Sequence, residues 1–261
     1  MGGFFANPVL LERHGAVGSI TFNRPAAINA INEEVRCATP PLLMELDEDP
    51  AVLVIVVRGA GPRGFCVGAD LKEDRAPIER QTATGKPVWI ESFAKVRKPL
   101  IASIHGYCLG GGLEIALACD IRIASADASF GLPEAAVGLI PGGGGTQRLP
   151  RLIGMARALD LLLSAERIDA VEAYRVGLIS RITTTREQLK ERTAELATRI
   201  ATLAPLATRL VKEAAQTGAE RGLEGGLQLE NELFMRLLST QDRHEGAAAF
   251  REKRAPIFKG S

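Results

Sequence analysis

The strongest constraint on this chain is a unit that recurs in its first half. An apolar, β-branched run leads into a glycine-rich turn, and a helical pattern follows. "AVLVIVVRG" (51–59) is succeeded by "GPRGFCVGAD", and "PLIASIHG" (99–106) by "YCLGGGLEIALACD". Runs of this kind have no polar face, so as strands they need cover on both sides. Strand, turn and helix in succession point to an α/β core. "IRIAS" and "ASFGL" read as two further short strands.

The remaining segments are arranged around that core. The first 30 residues read as a hairpin, with "VLLER", a His-Gly turn at 14–15 and "AVGSITFNRP". "PPLLMELDED" reads as a short helix with Thr39 as N-cap and Pro40 at its first position. A polar segment at 72–87 reads as a loop leading into a helix near Val88–Val96. From about residue 143 helical patterns dominate, and from 186 they are nearly uninterrupted.

Composition narrows the function classes. Hydrophobic residues at 46% and charged residues at 24% supply an ordinary globular core, which excludes disorder as the main state. Thirty-two basic against 31 acidic residues leave a net charge of +1, too little to recruit nucleic acid or a membrane surface. Cys37, Cys66, Cys108 and Cys119 form no CxxC pair, and with no secretory signal they read as reduced thiols of a cytoplasmic protein. His14, His105 and His244 form no metal-ligand cluster, so no metal is expected.

Two carboxylates carry the functional question. Glu114 follows Gly110, Gly111 and Gly112, and on a continuous helix its same-face neighbours would be Leu117, Ala118 and Ile121. An ionised carboxylate on an apolar face costs several kcal/mol unless it is paired, or its pKa rises. One reading is a helix-terminus charge stabilised by the macrodipole. The other is a catalytic acid or base beside an oxyanion hole, because glycines at a helix start leave free N–H donors close to a ligand. "FCVGAD" (65–70), with Gly68 and Asp70 around Ala69, is a second small-residue turn able to donate. Glu134, in "FGLPEAAVGLIPGGGGTQRL", supplies the second carboxylate. "PGGGGTQ" lacks the Lys-Ser or Lys-Thr of a phosphate loop, and the contiguous glycines do not make a dinucleotide fingerprint.

"NRPAAINAIN", "FCVGADLKE", "GYCLGGGLEIALACD", "FGLPEAAVGLIPGGGGTQRLPR" and "AFREKRAPIFKG" together resemble the enoyl-CoA hydratase/isomerase (crotonase) superfamily, over residues 9–259. Within it the chain is most similar to hydratases, including the methylglutaconyl-CoA hydratase branch. The resemblance implies a spiral of repeated β-β-α units with the active site in residues 1–195. It also implies a helical region at 196–261 that builds a homotrimer, or a hexamer as a dimer of trimers.

The resemblance likewise implies roles. Ala69 and Gly111 match the N–H pair that binds the thioester oxygen. Glu114 matches the carboxylate that deprotonates water, and Glu134 the one that protonates the α-carbon. Gly142 matches a backbone donor to that water. Ala26 stands where hydratases often carry a basic residue, which leaves coenzyme A to Arg24, Lys72 and Lys259, beside Gly68 and Asp70. The Pro40–Pro41 pair is expected to interrupt a helix that the family runs longer.

The expected activity is therefore addition of water to a 2-enoyl-CoA thioester, with no cofactor beyond the coenzyme A of the substrate. Methylglutaconyl-CoA hydratase and enoyl-CoA isomerase are the rivals within the family. A catalytically silent coenzyme A-binding protein is disfavoured by the presence of both glutamates. An RNA-binding relative would need a basic first helix, whereas residues 31–49 hold six acidic residues and one arginine.

Overall fold

The computed structural model describes residues 7–73 and 89–261. The expected loop at 72–87 and the start of the expected helix at Val88 therefore lie almost wholly outside the described residues. Strands β1 (Val9–His14) and β2 (Val17–Phe22) form the predicted hairpin, paired from Val9↔Phe22 to His14↔Val17. Its turn falls one residue later than expected, with Gly15 at φ 59.

Helix α1 (Glu33–Glu48) corrects the sequence reading. It starts six residues before Thr39, because the Asn32 side chain accepts the Val35 N–H as N-cap. Thr39 is fully buried inside the helix and donates its hydroxyl to the Val35 carbonyl at 2.7 Å. Val35, Thr39, Leu43 and Leu46 form one buried stripe that continues across Pro40 and Pro41. Burial of that stripe outweighs the two missing N–H donors, so the prolines do not interrupt the helix.

The core is a spiral in which consecutive strands alternate between two sheets. β3 (Val54–Gly59) joins the first sheet and β4 (Gly64–Cys66) the second. β5 (Leu100–Ile104) and β6 (Tyr107–Leu109) repeat the step, as do β7 (Ile121–Ser125) and β8 (Ser129–Gly131). β9 (Ile168–Asp169) and β10 (Arg181–Thr183) close the series. The first sheet has the order β1-β2-β3-β5-β7-β10 and the second β4-β6-β8-β9. Apart from the hairpin, the pairs of the first sheet are parallel.

β3 is covered on both faces, as its apolar run requires. Ile55 and Val57 enter the main core with Phe22, Phe65 and Phe93, while Val54 and Val56 meet Leu189, Leu196 and Ala197. Those last three belong to a C-terminal helix, described below.

α2 (Glu91–Ala94) packs on α1 and on α3 (Gly111–Ala118), which lies against β4 and β6. α3 is shorter than its sequence pattern suggested, and Ile121 opens β7 rather than continuing the face of Glu114. After β8 come a 3-10 helix (Pro133–Val137), α4 (Gly145–Ile153), α5 (Met155–Ser164) and α6 (Ala170–Arg175). The C-terminal helices are α7 (Arg186–Ala201), α8 (Pro205–Glu220), α9 (Gly222–Leu238) and α10 (Gln241–Glu252). The expected division at 195/196 falls inside α7. That helix packs on the first sheet. Among the described residues, no helix is long and apolar enough to cross a membrane.

Candidate active site

The second sheet gathers the site at the carboxyl ends of its strands. The turn Gly68–Ala69 follows β4, the turn Gly110–Gly111 follows β6, and Glu134 follows β8. Two clamps fix the first turn. Ile31 donates to the Gly68 carbonyl at 2.8 Å and accepts from Asp70 N–H at 2.9 Å. Gly68 sits at φ 82, and a Cβ there would lie 2.8 Å from the Gly111 nitrogen. The two turns are thus in contact, and only glycine permits the approach. Among the described residues, the N–H groups of Ala69 and Gly111 donate to no acceptor. Both are free to bind an oxygen that gains charge.

Glu114 lies in the first turn of α3 and is 4% exposed. Its Oε1 accepts from Gly143 N–H at 2.6 Å and from Gly145 N–H at 2.8 Å. Burial pushes its pKa up, while the two N–H donors and the Arg148 guanidinium pull the other way. The carboxylate is therefore held by donors that favour its charged form.

Glu134 is in the opposite condition. It opens the 3-10 helix, and its Oε2 is buried with no hydrogen-bond partner among the described residues. Burial, reinforced by the nearby charge of Glu114, pushes its pKa up to about 7. Burial thus raises both carboxyls, but the donors on Glu114 check its rise while Glu134 goes to about 7, so Glu114 is the readier base and Glu134 the readier acid.

The other expected site residues fall in three places. Arg24 donates to the Ala30 carbonyl at 2.6 Å and to Asp70 Oδ2 at 2.9 Å, so it braces the Gly68–Ala69 turn. Burial opposes ionisation of Asp70, but Arg24 and the Lys72 N–H hold its pKa below the usual range. Lys72 lies exposed just beyond, its N–H on Asp70 Oδ1 at 3.2 Å. Lys259 belongs to the C-terminal tail, where its N–H and that of Gly260 donate to Asp242 on α10 at 2.7 and 2.8 Å. Gly142 is exposed, with open space on its Cβ side.

Sequence reasoning missed Gly143, Gly145 and Arg148. Arg148 Nη1 donates to the Gly143 carbonyl at 2.9 Å, and its Nη2 reaches Glu91 Oε1 at 3.0 Å. The signal was present in "PGGGGTQRL", in which the sequence reading gave a role to Gly142 alone. Among the described residues no three His, Cys, Asp or Glu side chains gather as a metal set.

Comparison with known proteins gives a consistent picture. The family model for enoyl-CoA hydratase/isomerase matches residues 12–261. A probable enoyl-CoA hydratase of Mycobacterium bovis is 44% identical over 252 residues, 96% of this chain and 97% of the relative. A short-chain-enoyl-CoA hydratase of Clostridium acetobutylicum is 40% identical over 95% of this chain and 96% of its own length. The crystal structure of an enoyl-CoA hydratase from Bacillus anthracis superposes with a TM-score of 0.93 at 38% identity, covering 97% of this chain and 100% of that one.

Proposed function

The chain belongs to the enoyl-CoA hydratase/isomerase family and has enoyl-CoA hydratase activity, and from that premise we propose that Glu114 and Glu134 together add water across the 2,3 double bond of a 2-enoyl-CoA thioester. The thioester oxygen sits between the N–H groups of Ala69 and Gly111. These donors stabilise the enolate that develops when water attacks C3. Glu114, held as a carboxylate by Gly143 and Gly145, takes the proton from that water. Glu134 delivers its own proton to C2. After the addition the pair still carries one proton, now on Glu114, and exchange with solvent resets it.

The observation that carries this reading is the divergent state of the two carboxylates. One is fixed by two backbone donors, and the other has its Oε2 buried without a partner among the described residues and its pKa raised to about 7. The scheme needs no metal or organic cofactor, since coenzyme A arrives as part of the substrate. Lys72 and Lys259 are the basic side chains proposed for its nucleotide end, with Arg24 acting through Asp70. We place the enzyme in the cytoplasm, a reading supported by the free thiols of Cys37, Cys66, Cys108 and Cys119.

A short-chain acyl group is favoured by the likeness to a short-chain-enoyl-CoA hydratase. The test is a hydration assay with crotonyl-, octenoyl- and methylglutaconyl-CoA. Turnover is expected with at least one of them, crotonyl-CoA being the best. Failure of all three would refute the reading.

A further inference from the structure

We infer that Arg148 is a positioning residue for the hydration step, acting on Glu114 through the Gly143–Gly145 turn and itself oriented by Glu91. Gly143 is held at both ends: its N–H donates to Glu114 Oε1 at 2.6 Å, and its carbonyl accepts from Arg148 Nη1 at 2.9 Å. The guanidinium approaches the middle of the turn with its Nη1 end. Gly144 has φ 102, and a Cβ there would lie only 2.1 Å from Arg148 Nη1. The Arg148 N–H also donates to the Gly144 carbonyl at 2.8 Å. One side chain therefore grips the turn whose two amides hold the base.

Glu91 completes the grip. Its Oε1 binds Arg148 Nη2 at 3.0 Å, and it stands at the first position of α2, a helix that contacts α3. A planar fork can hold a carbonyl and a carboxylate at once, which an ammonium point charge does less well. The effect of Arg148 passes through the position and charge of Glu114.

The groups that face Glu114 are few. Among the described residues, the 3-10 helix contributes Glu134 and α4 contributes Arg148, while α2 contributes Glu91 by way of Arg148. On β4 and β6, which contact α3, burial keeps the thiols of Cys66 and Cys108 protonated at neutral pH, and Tyr107 is exposed. Among the described residues, Arg148 is thus the cation that pulls the Glu114 carboxyl down against its burial. Its removal should raise the pH at which Glu114 becomes a base and loosen the two N–H donors together.

The inference rests on Glu114 acting as the base, and the experiment keeps the two ideas separable. Arg148→Gln, Arg148→Lys, Glu91→Gln and Glu114→Gln are assayed in the intact enzyme for kcat, KM and the pH profile, with melting temperature as a control. Arg148→Gln is expected to lose about 10- to 100-fold in kcat, the scale of a misplacement of about 1 Å. Its KM should change little, and the acid limb of its profile should move upward. Arg148→Lys should recover the acid limb but only part of kcat. Glu91→Gln, which leaves the cation and the turn in place, should lose a few-fold in kcat with the acid limb unmoved.

Near-normal turnover by Glu114→Gln would overturn the assignment of the base itself. An inactive Glu114→Gln beside a folded Arg148→Gln with normal kcat and an unshifted profile would overturn only the role of Arg148. If Arg148→Gln fails to fold, Arg148→Lys and Glu91→Gln decide: normal kcat in both would refute the inference.

Discussion

Gly110 leaves clear the space that the Glu134 carboxylate enters, since a Cβ on Gly110 would lie 3.0 Å from Glu134 Oε1. Gly110 also stands at φ 52, where a side chain adds about 1–2 kcal/mol of backbone strain. Gly110→Ala should displace the acid by a fraction of an ångström and lower kcat by about 10-fold or more. The substitution should also lower the melting temperature. Steady-state kinetics on folded protein decide the point, and a normal kcat would mean that Glu134 needs no fixed position.

Glutamine at either carboxylate keeps shape and removes proton transfer. Glu114→Gln and Glu134→Gln should each lose about 10²–10⁴-fold in kcat. The double variant should lose far less than the product of the two, because the groups act on one addition. Acyl-CoA binding should persist in all three, since the Ala69 and Gly111 donors are backbone. Were Glu114 only a helix-terminus charge, its replacement would alter stability by about 0.3–1 kcal/mol and spare turnover.

Proton inventory makes a sharper demand. Hydration starts with the proton on Glu134 and dehydration with it on Glu114, so both directions use the singly protonated pair. The two kcat/KM profiles should therefore share their limbs. Activity should fall as pH rises through about 7, where Glu134 loses its proton. It should fall again in acid as Glu114 is protonated. Rates of crotonyl-CoA hydration and 3-hydroxybutyryl-CoA dehydration between about pH 5 and 9 test this. A hydration profile that does not fall as pH rises through about 7 would contradict the shared-proton scheme.

Stability should register the same group with a definite sign. The Glu134 carboxyl has its pKa raised in the fold from the usual 4.5 to about 7. The folded state therefore binds more protons between those values, and the stability this confers is lost as pH rises through about 7. Glu134→Gln, always neutral, should melt above the wild type at pH 8, with the margin shrinking by pH 5. Differential scanning at the two pH values measures it. An unchanged margin would place the Glu134 carboxyl in an ordinary, solvated state.

Assembly is the last expectation. α9 and α10 expose Leu223 (81%), Phe250 (87%), Phe234 and Met235, while α8 exposes Val211. The small cluster of Leu210, Leu229 and Leu233 covers only the inner faces of α8 and α9. An apolar surface of that extent is explained by other subunits, in a trimer or a dimer of trimers. Light scattering should give three or six times the chain mass at micromolar concentration. A stable monomer there would refute it.

Much of this was readable in the amino-acid order, for reasons that differ by element. The hairpin and β3 carry period and β-branching that local rules detect. α1 was misjudged because Thr39-Pro40 imitates a helix start, and the true cap, Asn32, is recognised only once the buried stripe from Val35 to Leu46 is seen. β9 and β10, two and three residues long, are too short to leave a pattern. In the site, Glu114 and Glu134 stood out as charges in apolar company. Gly143 and Gly145 did not, because their task exists only when a turn closes on a carboxylate 29 and 31 residues earlier.

The alternation of consecutive strands between two sheets also governs how the chain must be made. After the opening hairpin, a strand of the first sheet meets its parallel neighbour only when a full turn of the spiral has been completed. A nascent chain leaving the ribosome therefore carries β3 with one edge bare until β5 emerges, and β7 with one edge bare until β10 does. Such non-local pairing is slow, and bare apolar edges invite mispairing with other chains. The aggregation hazard of this protein resides in its unfinished forms, and chaperone demand should peak between synthesis of Glu114 and Glu134 and that of the helices that follow them.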